Sequence, residues 1–248
     1  MIEEKGFAAY LAEFVGTLLL VLAITGFVAA SAFSSLNLLA LAVVHGLVLM
    51  AIVGSIGSVS GAHVNPAITL SLLALRKITG RDAAGYLVAE LLGGIAGALL
   101  TKMFFLGRGA LVSYGAPGIN KLYLQGGSVG LAFLAEAIGA FILMWAVMGT
   151  AVNPNAPKGV AGAAIGGALA LGVLIFGPAT GASFNPARWL GPALVAGRWD
   201  NAWLYILAPI VGALVATFTY RAVMKLESPE LPAQPPRRGE SAEPPVVA

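Results

Sequence analysis

The sequence predicts an all-α integral membrane protein, with six transmembrane helices plus two re-entrant half-helices in two inverted repeats. Three observations carry that prediction. Of 248 residues, 58% are hydrophobic and only 10% charged, and mean hydropathy is +0.89, which leaves too little polar surface to cover a water-soluble globule. Six apolar blocks, each near the ~20 residues that a bilayer span requires, follow one another with short breaks. The chain also repeats itself: LAEFVGTLLL at 11–20 returns as LAEAIGAFIL at 134–143, and Asn65-Pro66-Ala67 returns as Asn185-Pro186-Ala187, at offsets of 123 and 120 residues. Each repeat holds three spans, an odd number, so the second lies upside down relative to the first.

The blocks run over 8–31, 36–58, 83–106, 131–152, 159–178 and 199–223. Block one follows MIEEKGFAAYLAEF, which carries acids and no small-residue cleavage pattern, so it reads as a retained helix and not a signal peptide. His45 is the one ionisable residue of block two, and Glu90 lies within block three. Gly93-x-x-x-Gly97 in block three and Gly162-x-x-x-Gly166 in block five permit close helix crossing. The repeats cover about 8–106 and 131–223, within one membrane domain over 1–226. The remainder, 227–248, is rich in Pro and Glu and is expected to be a disordered tail. With six spans, Lys5, Arg76, Lys77, Arg81, Lys158, Arg221, Lys225, Arg237 and Arg238 fall on the side of the N-terminus. Lys102, Arg108, Lys121 and Arg198 fall opposite, so the positive-inside bias places both termini in the cytoplasm.

Composition removes several functions. A net charge of +3, with scattered basic residues, gives no footprint for nucleic acid. The absence of cysteine excludes disulfides and thiolate chemistry. No phosphate-binding loop, metal-ligand spacing or Ser/His/Asp constellation is present, so the reading assigns no catalytic residue, no metal and no cofactor, and the chain is not read as an enzyme.

The two Asn-Pro-Ala segments begin stretches too short to span, Pro66 to Leu75 and Pro186 to Leu194. Asn is a favoured N-cap and Pro a favoured first helical residue, so each marks a helix start. One copy alone would read as an ordinary turn, but two copies at equivalent positions of an inverted repeat meet near the midplane. Two helix N-termini there repel cations, and the Asn amides offer N–H donors to a neutral solute.

SGAHVNPAITL and TGASFNPARWLGPAL, with the Ala-Glu-x-x-Gly repeat at 12–16 and 135–139, closely resemble the aquaporin (major intrinsic protein) family over about residues 8–223. The resemblance implies a passive channel for water and small neutral solutes, with one pore per protomer, in a homotetramer embedded in the lipid bilayer, here of the plasma membrane. Asn65, Pro66, Ala67, Asn185, Pro186 and Ala187 become the pore motifs. A narrower filter is implied at His45, Val173, Ala182 and Arg188, where Arg188 bars cations. A His on the second span with Val on the fifth is similar to tonoplast intrinsic proteins, and implies passage of ammonia beside water, with urea and hydrogen peroxide as further candidates. Glu13 and Glu136 are implied to brace the half-helix loops, with His63 a further bracing residue. Glu90 is left between facing the tetramer centre and being protonated inside the span.

Three alternatives stay open. A glycerol facilitator is disfavoured because Trp189, not Asp, follows Arg188. A secondary transporter shares inverted repeats but needs charged coupling sites at the midplane. An intramembrane enzyme would need Glu13 and Glu136 to face a common cavity.

Overall fold

The computed structural model describes residues 5–34 and 37–224, so the tail expected at 227–248 lies outside the described residues. Six helices are long and apolar enough to cross a membrane: α1 (Phe7–Ala30), α2 (Leu38–Ile56), α4 (Gly80–Leu111), α5 (Val129–Val147, extended by a π-helical stretch Met148–Val152), α6 (Ala161–Thr180) and α8 (Ala202–Met224). Two more, α3 (Pro66–Ala74) and α7 (Pro186–Ala196), have 9 and 11 residues. At ~1.5 Å per residue they reach only about half of the ~30 Å hydrocarbon layer. No strand occurs among the described residues.

Local chemistry sets the helix starts. The side chains of Asn37, Thr79 and Ser128 accept the backbone N–H groups of Ala40, Asp82 and Leu131, capping α2, α4 and α5. Helix α4 runs beyond the hydropathy block at both ends. Past a break at Phe105 its last turn holds Arg108, whose guanidinium sits 5.0 Å from the Phe33 ring centre. A charge at the end of a span thereby rests on an aromatic face instead of entering lipid.

Glycine brings the helices close enough to bind the repeats together. A Cβ at Gly93 or Gly97 of α4 would strike the carbonyls of Phe14 and Leu18 of α1, and one at Gly212 of α8 would strike the carbonyl of Ala137 of α5. Gly46 of α2 and Gly166 of α6 face one another in the same manner across the repeat axis. With no hydrophobic force between helices in lipid, such van der Waals proximity holds the bundle. The short helix α7 docks on α4 likewise, with Gly94 against Ala187 and Gly191 against Gly94. The outward faces carry Leu92, Leu99, Val211 and Val215, exposed apolar side chains suited to an acyl environment.

Candidate functional site

Each half-helix is preceded by a descending loop with strained backbone. Gly61, Ala62 and Val64 have φ of 93°, 51° and 43°, and Gly181, Ala182 and Phe184 have 80°, 46° and 51°. For residues with a Cβ this left-handed region costs roughly 1–2 kcal/mol each, and past Gly61 and Gly181, which still donate to Gly57 and Gly177, the loop's N–H groups find no helical partner. Buried carboxylates supply the compensation. Glu13 of α1 accepts from the backbone N–H of His63 at 3.0 Å and of Val64 at 2.6 Å. Glu136 of α5 accepts from Ser183 N–H at 3.0 Å, Phe184 N–H at 2.7 Å and the Thr180 hydroxyl at 2.6 Å. Tyrosines close the other side, the Tyr86 hydroxyl donating to the Ser60 carbonyl at 2.6 Å and Tyr205 to the Thr180 carbonyl at 2.9 Å. The two carboxylates therefore serve separate loops, and neither lines the cavity walled by Asn65 and Asn185.

The two helix starts meet and cross-link. The Asn65 Nδ2 amide donates to the Phe184 carbonyl at 3.0 Å, and Asn185 Nδ2 to the Val64 carbonyl at 2.8 Å. Each Oδ1 caps its own helix, accepting from Ala67 N–H in α3 and from Ala187 and Arg188 N–H in α7. An amide nitrogen carries two hydrogens, so each Asn keeps one N–H after these bonds. Pro66 and Pro186, both buried, follow as the first helical residues and remove an N–H that would lack a partner.

Both Asn side chains line a cavity of about 510 Å³. Its wall includes Lys5, Ser58 and Lys77 and, further along, His63, His45 and Arg188. The Nδ1 of His45 lies 2.8 Å from the Leu41 carbonyl, an acceptor only, so Nδ1 carries the hydrogen. In the neutral ring Nε2 is then a bare lone pair, and it is buried without a partner. Arg188 donates from Nη1 to the Gly115 carbonyl at 3.2 Å, while its Nε–H, also buried, has no partner. An unpaired acceptor and an unpaired donor thus belong to two residues of one cavity wall. Val173 and Ala182 are buried in the apolar core, but neither lies on this wall.

His63 braces the loop through its backbone and packs its ring edge-on against Tyr86, with centroids 4.9 Å apart. Glu90 does not face outward: it is fully buried and accepts the Thr69 hydroxyl of α3 at 2.6 Å, which removes the tetramer-centre alternative. Among the described residues no group of three His, Cys, Asp or Glu side chains gathers as a metal site would.

Sequence reasoning missed several contributors. Gly115, which holds Arg188, follows Ser113 and Tyr114, whose φ values of 50° and 49° turn the loop inward, and nothing in the loop's composition announces this. Tyr86 and Tyr205 carried a usable signal, since their separation of 119 residues is within one of the Asn-Pro-Ala offset of 120.

A family model described as Major intrinsic protein matches residues 2–220. Nodulin-26 of Glycine max is 40% identical over 189 residues, 76% of this chain and 67% of its own length. Aquaporin AqpM of Methanothermobacter thermautotrophicus is 37% identical over 195 residues, covering 73% of this chain and 75% of its own. Among solved structures, the aquaglyceroporin from Plasmodium falciparum superposes with a TM-score of 0.76 at 23% identity, over 88% of this chain and 96% of that one, a likeness of fold.

Proposed function

This chain belongs to the major intrinsic protein family, the channel family of the aquaporins, and from that premise we propose that it passes water and ammonia and excludes protons and ions. The observation that carries the proposal is the meeting, along one cavity wall, of the crossed Asn65 and Asn185 side chains with His45 and Arg188, whose Nε2 and Nε–H are buried without a protein partner. A solute that both donates and accepts hydrogen bonds can replace lost hydration there, since it meets a lone pair, a guanidinium N–H and two amide N–H groups. A cation meets two helix N-termini, each worth roughly half a positive charge, and a permanent guanidinium. A water accepting from the Asn amides has its lone pairs occupied, which interrupts a proton wire.

The filter is assigned to His45, Val173, Ala182 and Arg188, in a combination like that of tonoplast intrinsic proteins; of the four, His45 and Arg188 line the cavity, and urea and hydrogen peroxide are further candidate solutes. The protein is a homotetramer of the plasma membrane with both termini cytoplasmic, a sidedness supported by Lys5 and Lys77 sharing one cavity. Stopped-flow shrinkage of proteoliposomes under an osmotic gradient, with parallel ammonia, urea and glycerol uptake, tests the proposal. Fast water flux with a low activation energy and ammonia uptake linear in concentration is the expected result. Saturable, ion-coupled uptake would make the protein a transporter, and glycerol uptake rivalling water would make it a glycerol facilitator.

A further inference from the structure

Glu90 is the buried ionisable group that the channel account leaves unused. It is fully buried in α4, one carboxyl oxygen accepts the Thr69 hydroxyl at 2.6 Å, and the other, Oε2, has no hydrogen-bond partner. An unpaired buried oxygen costs free energy, so a tie between α3 and α4 alone would be served better by a smaller hydroxyl. The Thr69 oxygen makes a second contact, 2.9 Å from Nδ1 of His63. With Glu90 Oε1 acting as the acceptor, the single Thr69 hydrogen goes to Glu90, only lone pairs remain to face His63, and Nδ1 supplies the hydrogen of that contact. His63 lies on the cavity wall, and among the described residues no protein group bonds its Nε2.

We propose that Glu90 is a positioning residue for permeation: through Thr69 it fixes the His63 imidazole as the Nδ1–H tautomer, which presents a bare Nε2 acceptor to the cavity. The permeation half of this rests on the channel reading above. Both histidines of the chain then carry their hydrogen on Nδ1, which leaves Nε2 as the acceptor atom of two residues on one cavity wall. His45 is fixed by a backbone carbonyl and His63 by a buried side-chain relay. Two lone pairs flanking the Asn donors favour solutes rich in N–H or O–H. The second repeat has no such relay, because the positions equivalent to His63, Thr69 and Glu90 are Ser183, Trp189 and Pro209. The Ser183 hydroxyl is spent on the Asn185 carbonyl at 2.9 Å.

The chain has two histidines, so the tautomer can be read directly by ¹⁵N NMR of histidine-labelled protein in liposomes. A His45→Phe background leaves His63 as the sole signal. The Nδ1–H form is expected there and also in Glu90→Gln, whose amide oxygen can accept from Thr69. Glu90→Leu and Thr69→Val release the ring, and an Nε2–H population should appear in each. An Nε2–H ring in the background protein overturns the proposal, and so does a tautomer unmoved in whichever release variant folds. With His45 intact, Glu90→Leu should lower the ammonia-to-water permeability ratio about fivefold, the worth of roughly one net hydrogen bond. Glu90→Gln should restore it. A ratio that stays constant while the tautomer switches overturns the permeation half. Failure of the channel reading is a separate result, since flux would then be absent while the NMR outcome stands.

Discussion

The two repeats build one scaffold and then diverge in what they place on it. In both, a carboxylate from the first helix takes the N–H groups of the descending loop, a tyrosine hydroxyl takes a loop carbonyl, and an Asn caps the half-helix and reaches across to the other repeat. The chemistry lies in the departures. His45 is matched by Ile165, and Arg188 by Ile68. Val173 is matched by Val53, and Ala182 by Ala62. The four partners Val53, Ala62, Ile68 and Ile165 all line the open cavity, whereas of the filter positions only His45 and Arg188 do. At these four positions the cavity therefore takes His45 and Arg188 from the filter set but only apolar side chains from the symmetry-related set. Symmetry supplies the backbone geometry, and His45 and Arg188 are the two cavity-lining positions at which the proposed filter departs from it.

Behind the half-helices the divergence runs the other way. The first repeat places the polar relay His63, Thr69 and Glu90, while the second fills the equivalent space with Trp189, fully buried and stacked on Tyr205 with centroids 5.9 Å apart.

The largest test of the shared scaffold removes its carboxylates. Glu13→Leu and Glu136→Leu each orphan at least two buried loop N–H groups, at ~1–3 kcal/mol apiece, so each variant should lose several kcal/mol or fail to assemble. Thermal unfolding in detergent should show comparable losses, and a severe effect at only one Glu would break the equivalence. Next in size is the divergence behind the half-helices. Trp189→Ala should cost about 3–5 kcal/mol through the cavity it leaves, and Thr69→Ala about 1 kcal/mol for one hydrogen-bonded hydroxyl, measured in the same way. Equal losses would mean that the aromatic stack is not a packing device. Smaller again are the caps. Asn65→Ala and Asn185→Ala should each cost ~0.5–2 kcal/mol. Asn185→Ala should cost more, because its Oδ1 takes two N–H groups where Asn65 takes one. The smallest expected effect is none. Neither repeat carries a cysteine, so mercurials should leave proteoliposome water flux unchanged, and reducible inhibition would mean that the pore chemistry has been misassigned.

The sequence made the scaffold legible because its signals are local and doubled. Asn-Pro is a helix start wherever it occurs, and its recurrence with the Ala-Glu-x-x-Gly pattern gave the inversion and the residues that meet. Contacts between distant segments with no repeated partner were not legible. Thr69 and Glu90 lie 21 residues apart on different helices, and their pairing depends on how α3 seats against α4. The hold of Gly115 on Arg188 spans 73 residues and depends on left-handed backbone at Ser113 and Tyr114, which neither residue type favours. The equivalence of Val173 and Ala182 to the cavity-lining Val53 and Ala62 was present in the repeat spacing but becomes visible only once the cavity is seen.

The central claim is that the asymmetric pair His45 and Arg188 makes this scaffold a water channel that also admits ammonia. Water and ammonia permeabilities measured side by side in proteoliposomes, for the natural chain and His45→Phe, test it most directly. The account predicts rapid permeation of both by the natural chain, and a substituted chain that keeps its water flux while its ammonia permeability falls to the background of empty liposomes. Ammonia permeability that is unchanged by the aromatic, or absent from the natural chain, would contradict it.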